Sequence, residues 1–285
     1  MIKRLAIFTN TEHPELPEEE QYLLEELPRR GIRPEPLVWD AHTNGLEQYD
    51  GFLVRAVWGY FQQMNRFAKL LDQLNHSVQP VWNTPAWLRW NSHKFYLQDL
   101  AKKGIPIVPT VFVKGKLDPN TLKRASEGFD AGHLVVKPAV SAGSHQTERL
   151  ATGDPLPESF DETEDWLLQP YLSEIETEGE WSFVFFNGQF SHAVKKVPAS
   201  GDFRVQKQFG GQYHPEQPSA ALLQQARQVL RVLPANPLLA RVDGILRDGQ
   251  LLLMELELIE PDLYLYRDED KQRFMDAISA CFSPA

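Results

Sequence analysis

The chain has 285 residues, 42% of them hydrophobic, which is enough for more than one packed unit and too many for a disordered protein. Its 29 Lys and Arg stand against 39 Asp and Glu, a formal charge of -10, so the overall field repels nucleic acid and anionic membranes. The single cysteine, Cys281, leaves no disulfide framework and no thiolate metal cage, and no stretch approaches the ~18 apolar residues of a membrane span.

The basic start MIKRLAIFTN has an apolar run too short for a signal-peptide core, so the expected location is the cytoplasm, with neither a nucleic-acid nor a membrane partner. Residues 3 to 9, KRLAIFT, carry the pattern of a buried strand. PEEEQYLLEELPRRG follows with helical spacing and a glycine stop, and RPEPLVWD and YDGFLVRAVW read as further strands. An amphipathic helix in MNRFAKLLDQLNH and a short strand in QPVWNTP complete a β-α-β pattern, predicting a parallel-sheet α/β domain over residues 1–90. G-x-G-x-x-G is absent, which removes support for dinucleotide binding.

A second unit, 91–168, opens on NSHKFYLQDLAKKGIPIVPTVFV, with Asn91 or Ser92 as N-cap, a helix, a stop at Gly104 and a proline-bounded strand. HLVVKPAVSAGSHQT is a strand entering a loop of small residues, and DWLLQPYL is another strand. The third unit, 169–285, contains a hairpin at Asn187-Gly188, a polar glycine-containing loop over 198–214, a helix in SAALLQQARQVLRVL and a strand pair in ARVDGIL and LLLMELELI. The predicted class is α/β, passing to α+β in the C-terminal part.

That last pair, within RVDGILRDGQLLLMELELIEP, holds Asp243, Glu255, Glu257 and Glu260 among Leu, Ile, Val and Met. Alternation puts Glu255 and Glu257 on one face and Met254, Leu256 and Leu258 on the other. A three-residue loop, Asp248-Gly249-Gln250, would set Asp243 opposite Glu255 and Arg241 opposite Glu257, whereas a two-residue loop would turn Asp243 to the wrong face. Three neighbouring carboxylates repel unless a cation is present, and a hard divalent ion such as Mg²⁺ removes the conflict. The alternative is a solvated hairpin face with an Arg241–Glu257 ion pair.

Lys137 ends HLVVK before the small-residue loop Ser141, Ala142, Gly143 and Ser144, which suits a lid over phosphate oxygens. No Ser-His-Asp, Cys-His or H-E-x-x-H arrangement is present, and His145 and His192 read as loop or strand polar residues. Taken in order, a helix-start Lys94, Lys137 with its loop, QPYL, R-x-D and E-x-E resemble the ATP-grasp superfamily of carboxylate-amine ligases over residues 90 to 261. VWNTPAWLRWNSHKFYLQDLAKKGIPIVPT and MELELIEP are most similar to the small glutathione-synthetase-like and RimK-like members, cycloserine-forming cyclo-ligases among them.

The resemblance implies an ATP-grasp fold: an N-terminal Rossmann-like domain and two α+β subdomains clasping ATP. It implies that Lys94 and Lys137 hold the α- and β-phosphates, that Ser141 to Ser144 cover them, and that Gln169, Pro170, Tyr171 and Leu172 read adenine, with Glu180 at the ribose. Asp243, Glu255 and Glu257 match ligands of Mg²⁺, or Mn²⁺ in its place; Glu257 departs from the usual Asn. Arg241 matches an arginine that touches the transferred phosphate, and Arg204, in GDFR, resembles a second cation closing over the substrate, with Lys195 or Lys196 joining them. The implied reaction activates a small carboxylate as an acyl phosphate and joins it to an amine, between molecules or within one, releasing ADP and phosphate. A phosphotransferase and a non-catalytic nucleotide-binding protein are the alternatives, and a homodimer is left open. Arg55, Trp58 and Tyr60, in VRAVWGY, stand where an amino-acid-like substrate would be held, although Gly59 departs from the W-D-Y of related sequences.

Overall fold

A computed structural model describes residues 2–41, 45–158, 160 and 163–283. Its strands form three sheets. The first contains β1 (Lys3–Thr9), β2 (Ile32–Val38), β3 (Gly51–Val54) and β4 (Val81–Trp82) in the order β2-β1-β3-β4, every pair parallel, as the β-α-β pattern predicts. The expected helix after β1 shrinks to α1 (Tyr22–Glu26) between 3-10 turns that start after Pro17 and at Pro28, because a proline ring interrupts helical hydrogen bonding. α2 (Met64–His76) buries Phe67, Leu70, Leu71 and Leu74 against Phe8 and Phe52 of the sheet.

Asn91 and Ser92 do not cap a helix start. Asn91 instead ends α3 (Pro85–Asn91), whose cap is the Thr84 hydroxyl accepting the Trp87 N–H, and α4 (Tyr96–Lys102) begins without a side-chain cap. The Asn91 amide is used elsewhere: it donates to Leu256 O and accepts the Leu258 N–H at the free edge of a distant strand. A buried edge leaves backbone groups that must be paired, and one amide satisfies two of them.

The second sheet holds β5 (Val111–Val113), β6 (His133–Pro138), β7 (Glu148–Ala151) and β8 (Trp166–Pro170), antiparallel in the order β5-β8-β6-β7. α5 (Pro119–Phe129) covers it, packing Leu122 and Ala125 on Leu134, Val136 and Trp166. After α6 (Glu174–Thr177) comes the third sheet: β9 (Glu180–Phe186), β10 (Gln189–Val197), β11 (Gln212–Glu216), β12 (Leu239–Arg247) and β13 (Gln250–Glu257), in the order β11-β10-β9-β12-β13. β11 is formed by the end of the segment expected to be loop, which closes the β10 edge with Tyr213 opposite Lys196.

One face of this sheet is apolar along its length. Phe183, Phe185, Ala240, Val242, Leu253 and Leu256 pack there on α4 and on α7 (Ala220–Arg231). The opposite face divides in two. At one end Val184, Phe186, Val194 and Leu239 meet the first sheet through Leu5 and Leu53, and also Phe274, Met275 and Ile278 of α8 (Asp268–Ala280), a helix the sequence pattern did not reveal. At the other end the same alternation presents Glu180, Ser182, Lys196, Arg241, Asp243, Glu255 and Glu257. No described helix is long and apolar enough to cross a membrane.

Candidate active site

The β12–β13 hairpin fixes the acids. Asp248 and Gly249, both in the left-handed region at φ 52° and 78°, form a two-residue turn with Arg247 opposite Gln250, not the three-residue loop expected. The anticipated pairs nevertheless occur, Asp243 opposite Glu255 and Arg241 opposite Glu257, because the register shifts between Asp243 and Gly244. Asp243 faces Glu255 while Gly244 faces Leu253, so Met254 is the extra residue of a β-bulge that flips the parity set by the turn. Gly244 is required there: a Cβ on it would lie 2.7 Å from Leu252 O and 2.9 Å from Leu251 Cδ1.

Around this hairpin cations from three elements interleave with the acids. Arg241 donates to both carboxylate oxygens of Asp243, to Glu257 and to Asp262 O. Asp243 also accepts from Ser182 Oγ at 2.6 Å, and Arg241 and Lys196 hold it below the usual carboxylate range against the effect of burial. Lys196 Nζ lies 2.5 Å from Glu180 Oε1 and 3.5 Å from Asp243 Oδ2, and despite burial these two charges raise the ammonium well above the ordinary lysine range. Strand alternation settles the choice between neighbours: Lys196 enters the cavity, whereas Lys195 turns outward to Trp181 and Glu178.

From the second sheet and the helix before it come two more lysines. Lys94 Nζ lies 2.9 Å from Glu255 Oε1 and donates to Ser141 O at 2.5 Å, while its backbone N–H bonds Ala139 O. Lys137, on β6, is buried, which lowers its ammonium pKa, and Glu255 pulls the other way. These groups line one cavity of about 700 Å³, within the range of small-molecule sites. Ser141, Ala142, Gly143, Ser144, Gln169, Pro170, Tyr171, Leu172, Glu180 and Arg204 line it too.

The acids do not converge as expected. Among the described residues no group of three or more His, Cys, Asp or Glu side chains is arranged to hold a metal ion, since Arg241 shares the strand face and binds both Asp243 and Glu257. Glu255 and Glu257 fit a hard divalent cation: both are oxygen donors facing the cavity, and their side chains keep 31% and 27% exposure. Burial, with the charges of Glu255 and Asp243, pushes the Glu257 carboxyl up to about 7 against the pull of Arg241. An added cation would relieve that repulsion. Asp243 fits only if its bonds to Arg241 and Ser182 loosen.

At the first-sheet end, Trp58 and Tyr60 line the cavity, but Arg55 does not. Its buried guanidinium is held by Glu20 and Pro261 O, so it braces the two halves rather than reaching a ligand. Arg204 is folded back on Asp202 at 2.8 Å and stacks over Phe209 at 3.8 Å. The sequence reading overlooked Ser182, Tyr213, Glu260, Asp262 and Tyr264, which also line the cavity or bind its charged groups. Only Glu260 carried a signal, as the fourth acid of the hairpin segment.

Residues 5–83 match a family model described as the N-terminal domain of D-cycloserine synthetase DcsG. The chain is 28% identical over 284 residues to the cycloserine biosynthesis protein DcsG of Streptomyces lavendulae, covering 92% of this chain and 93% of that protein. The crystal structure of D-cycloserine synthetase DcsG superposes with a TM-score of 0.83 at 24% identity, over 97% of this chain and 99% of that one. The ATP-grasp ligase PsnB, complexed with minimal precursor, Mg and ADP, gives a TM-score of 0.66 at 14% identity over 98% and 97% of the two chains. Over nearly its whole length the chain has the fold of these ATP-grasp ligases, and its sequence is similar to that of DcsG.

Proposed function

We propose that this protein uses ATP to activate a small carboxylate as an acyl phosphate and joins it to an amine, releasing ADP and phosphate. The observation that carries the reading is the interleaving of Lys94, Lys137, Lys196 and Arg241 with Glu255 and Glu257 in one cavity. Carboxylates are poor electrophiles, and the barrier to phosphoryl transfer is lowered by fixed charges aimed at the transferring oxygens. Lys94 and Lys137 would grip the α- and β-phosphates, and Ser141 to Ser144 would cover them with backbone N–H groups. Gln169 to Leu172, where β8 leaves the second sheet, would meet the adenine, with Glu180 at the ribose.

Glu255 and Glu257, joined by Asp243 once Arg241 turns to the phosphate, would hold Mg²⁺ or Mn²⁺. Such an ion, when bound, neutralises charge on the phosphate oxygens. The substrate carboxylate oxygen attacks the γ-phosphorus as its bond to ADP breaks. The amine nitrogen then attacks the acyl carbon, the carbon–oxygen bond to phosphate breaks, and the amine gives up a proton. Arg241 and Arg204 supply positive charge at the transferred group, and Lys196 keeps Glu180 and Asp243 in place. No protein nucleophile takes part.

The cycloserine proteins among the relatives support an amino-acid-like substrate and make ring closure within one molecule the variant to test first. The experiment is ADP and phosphate release from MgATP over a panel of small amino acids, alone and with added amines, with mass spectrometry of the products. A ligase shows release that depends on an amine or on one bifunctional molecule. Release that leaves a stable phosphorylated product would make the protein a phosphotransferase.

A further inference from the structure

The charged groups of the cavity are paired unevenly. Glu180, Asp243, Glu255 and Glu257 each touch a lysine or arginine. Glu260, which lines the same cavity, has no ion-pair partner among the described residues: its Oε2 is shielded from solvent and without a hydrogen-bond partner, and the Val57 backbone N–H is close enough to favour its charged form. The cation it feels most is Arg55, whose guanidinium is already held by Glu20 and Pro261 O. Glu260 is half-buried, and a carboxylate with one oxygen shielded and no cation beside it is unfavourable unless something else supplies the positive charge.

The surroundings of Glu260 suit such a charge. It lies beside Trp58 and Tyr60, in the turn that leaves the end of β3, and Trp58 is 39% exposed, one of few large apolar side chains so open. Aromatic faces beside a carboxylate attract ammonium groups. The lysines stand at the hairpin end of the cavity, paired with Glu255, Glu180 and Asp243, where the ligase reading places the phosphates and their divalent ion. At the first-sheet end no lysine or arginine among the described residues pairs with Glu260.

We infer that Glu260, flanked by Trp58 and Tyr60, binds the ammonium group of an amino-acid-like substrate and thereby turns its reacting end toward Glu255 and Glu257. This deepens the ligase reading and rests on it for the identity of the reaction, while the subsite can be tested by itself. The probes are serinamide, which carries one ammonium, and N-acetylserinamide, which is neutral. Binding is followed by NMR on ¹⁵N-labelled protein through the Val57 amide and the Trp58 indole, the latter assigned with W58F.

The expected result is a shift of both signals with serinamide and none with N-acetylserinamide, with the apparent affinity falling about tenfold or more in E260Q, as for loss of a charge-assisted hydrogen bond. Equal affinity in E260Q, equal shifts from the neutral probe, or no shift at tens of millimolar overturns the inference. Thermal stabilisation by MgADP, measured on both proteins, serves as the fold check; should E260Q fail it, the two probes on the wild type decide. If MgADP binds neither protein, the nucleotide reading fails, and the subsite still stands or falls on serinamide.

Discussion

Glu255 Oε1 lies 2.9 Å from Lys94 Nζ, which joins the acidic β12–β13 hairpin to the start of α4 and, through Ser141 O, to the small-residue loop. Against the cost of burial, Lys94 and Lys137 hold the Glu255 carboxyl below its ordinary range, as Arg241 and Lys196 hold that of Asp243. Glu255→Gln keeps the shape and removes the charge. Turnover should fall by about two orders of magnitude or more, the size seen when a charge-stabilising group is removed. Thermal unfolding should still show one cooperative transition, with MgADP stabilisation weakened. Wild-type turnover in this variant would remove Glu255 from the metal site.

Glu257 gives the pH dependence. Its carboxyl titrates up to about 7 in the folded protein against an ordinary value of 4.5. Between those values the folded state binds more protons than the unfolded one, so the contribution of Glu257 to stability falls as pH rises through the window and is at its least favourable above about 7. A divalent cation reverses this by favouring the ionised form. Mg²⁺ or Mn²⁺ should therefore bind more tightly at pH 8 than at pH 6 and release protons on binding below pH 7, measurable by calorimetry in buffers of different ionisation enthalpy. Glu257→Gln should flatten that dependence.

Gly244→Ala tests the bulge. The added Cβ would meet Leu252 O at 2.7 Å, a backbone atom that can move only with the strand. The cost should be about 1–3 kcal/mol of stability, as for other overpacked sites, read as a lower urea midpoint with an unchanged slope. Relief by shifting the register would carry Glu255 and Glu257 out of line with Arg241 and Asp243. Nucleotide affinity should then fall by more than stability accounts for.

The bulge also marks what the sequence displayed and what it hid. Alternation over residues 239–258 was enough to sort acids from core leucines, and the right pairing was reached, but through a loop length that does not occur. A bulge leaves no local signature beyond a glycine, so two compensating errors looked like one correct register. The parallel first sheet was legible because its central strands, β1 and β3, carry continuous apolar runs. α8 was not, because six of its first residues, DEDKQR, are charged or polar and its apolar contacts are with β9 and the first sheet, far away in the chain. The same holds for Asn91, whose capping pattern was outweighed by two strand-edge hydrogen bonds that only the tertiary structure supplies. Lysines 94, 137 and 196 were individually ordinary; their shared burial around Glu255 and Asp243 makes them a site.

The two loops over the cavity should close together. Gln208 Nε2 donates to Gly143 O at 3.2 Å, linking the segment after Arg204 to the small-residue loop, and the contact is exposed. Gly143 and Ser144 both have positive φ, so the loop is built from conformations that few side chains stabilise. Arg204 lines the cavity but its guanidinium is held by Asp202, a pair that must open for it to bind a phosphate. Hydrogen exchange at residues 141–147 and 202–211 should be fast without ligand and slow several-fold with MgADP or a non-hydrolysable ATP analogue. Gln208→Ala should lessen the slowing in both segments, because each loses its tie to the other, while exchange in β9 and β12 stays unchanged. Equal exchange with and without nucleotide would mean the cavity is already closed, and Arg204 would then have no route from Asp202 to the reacting group.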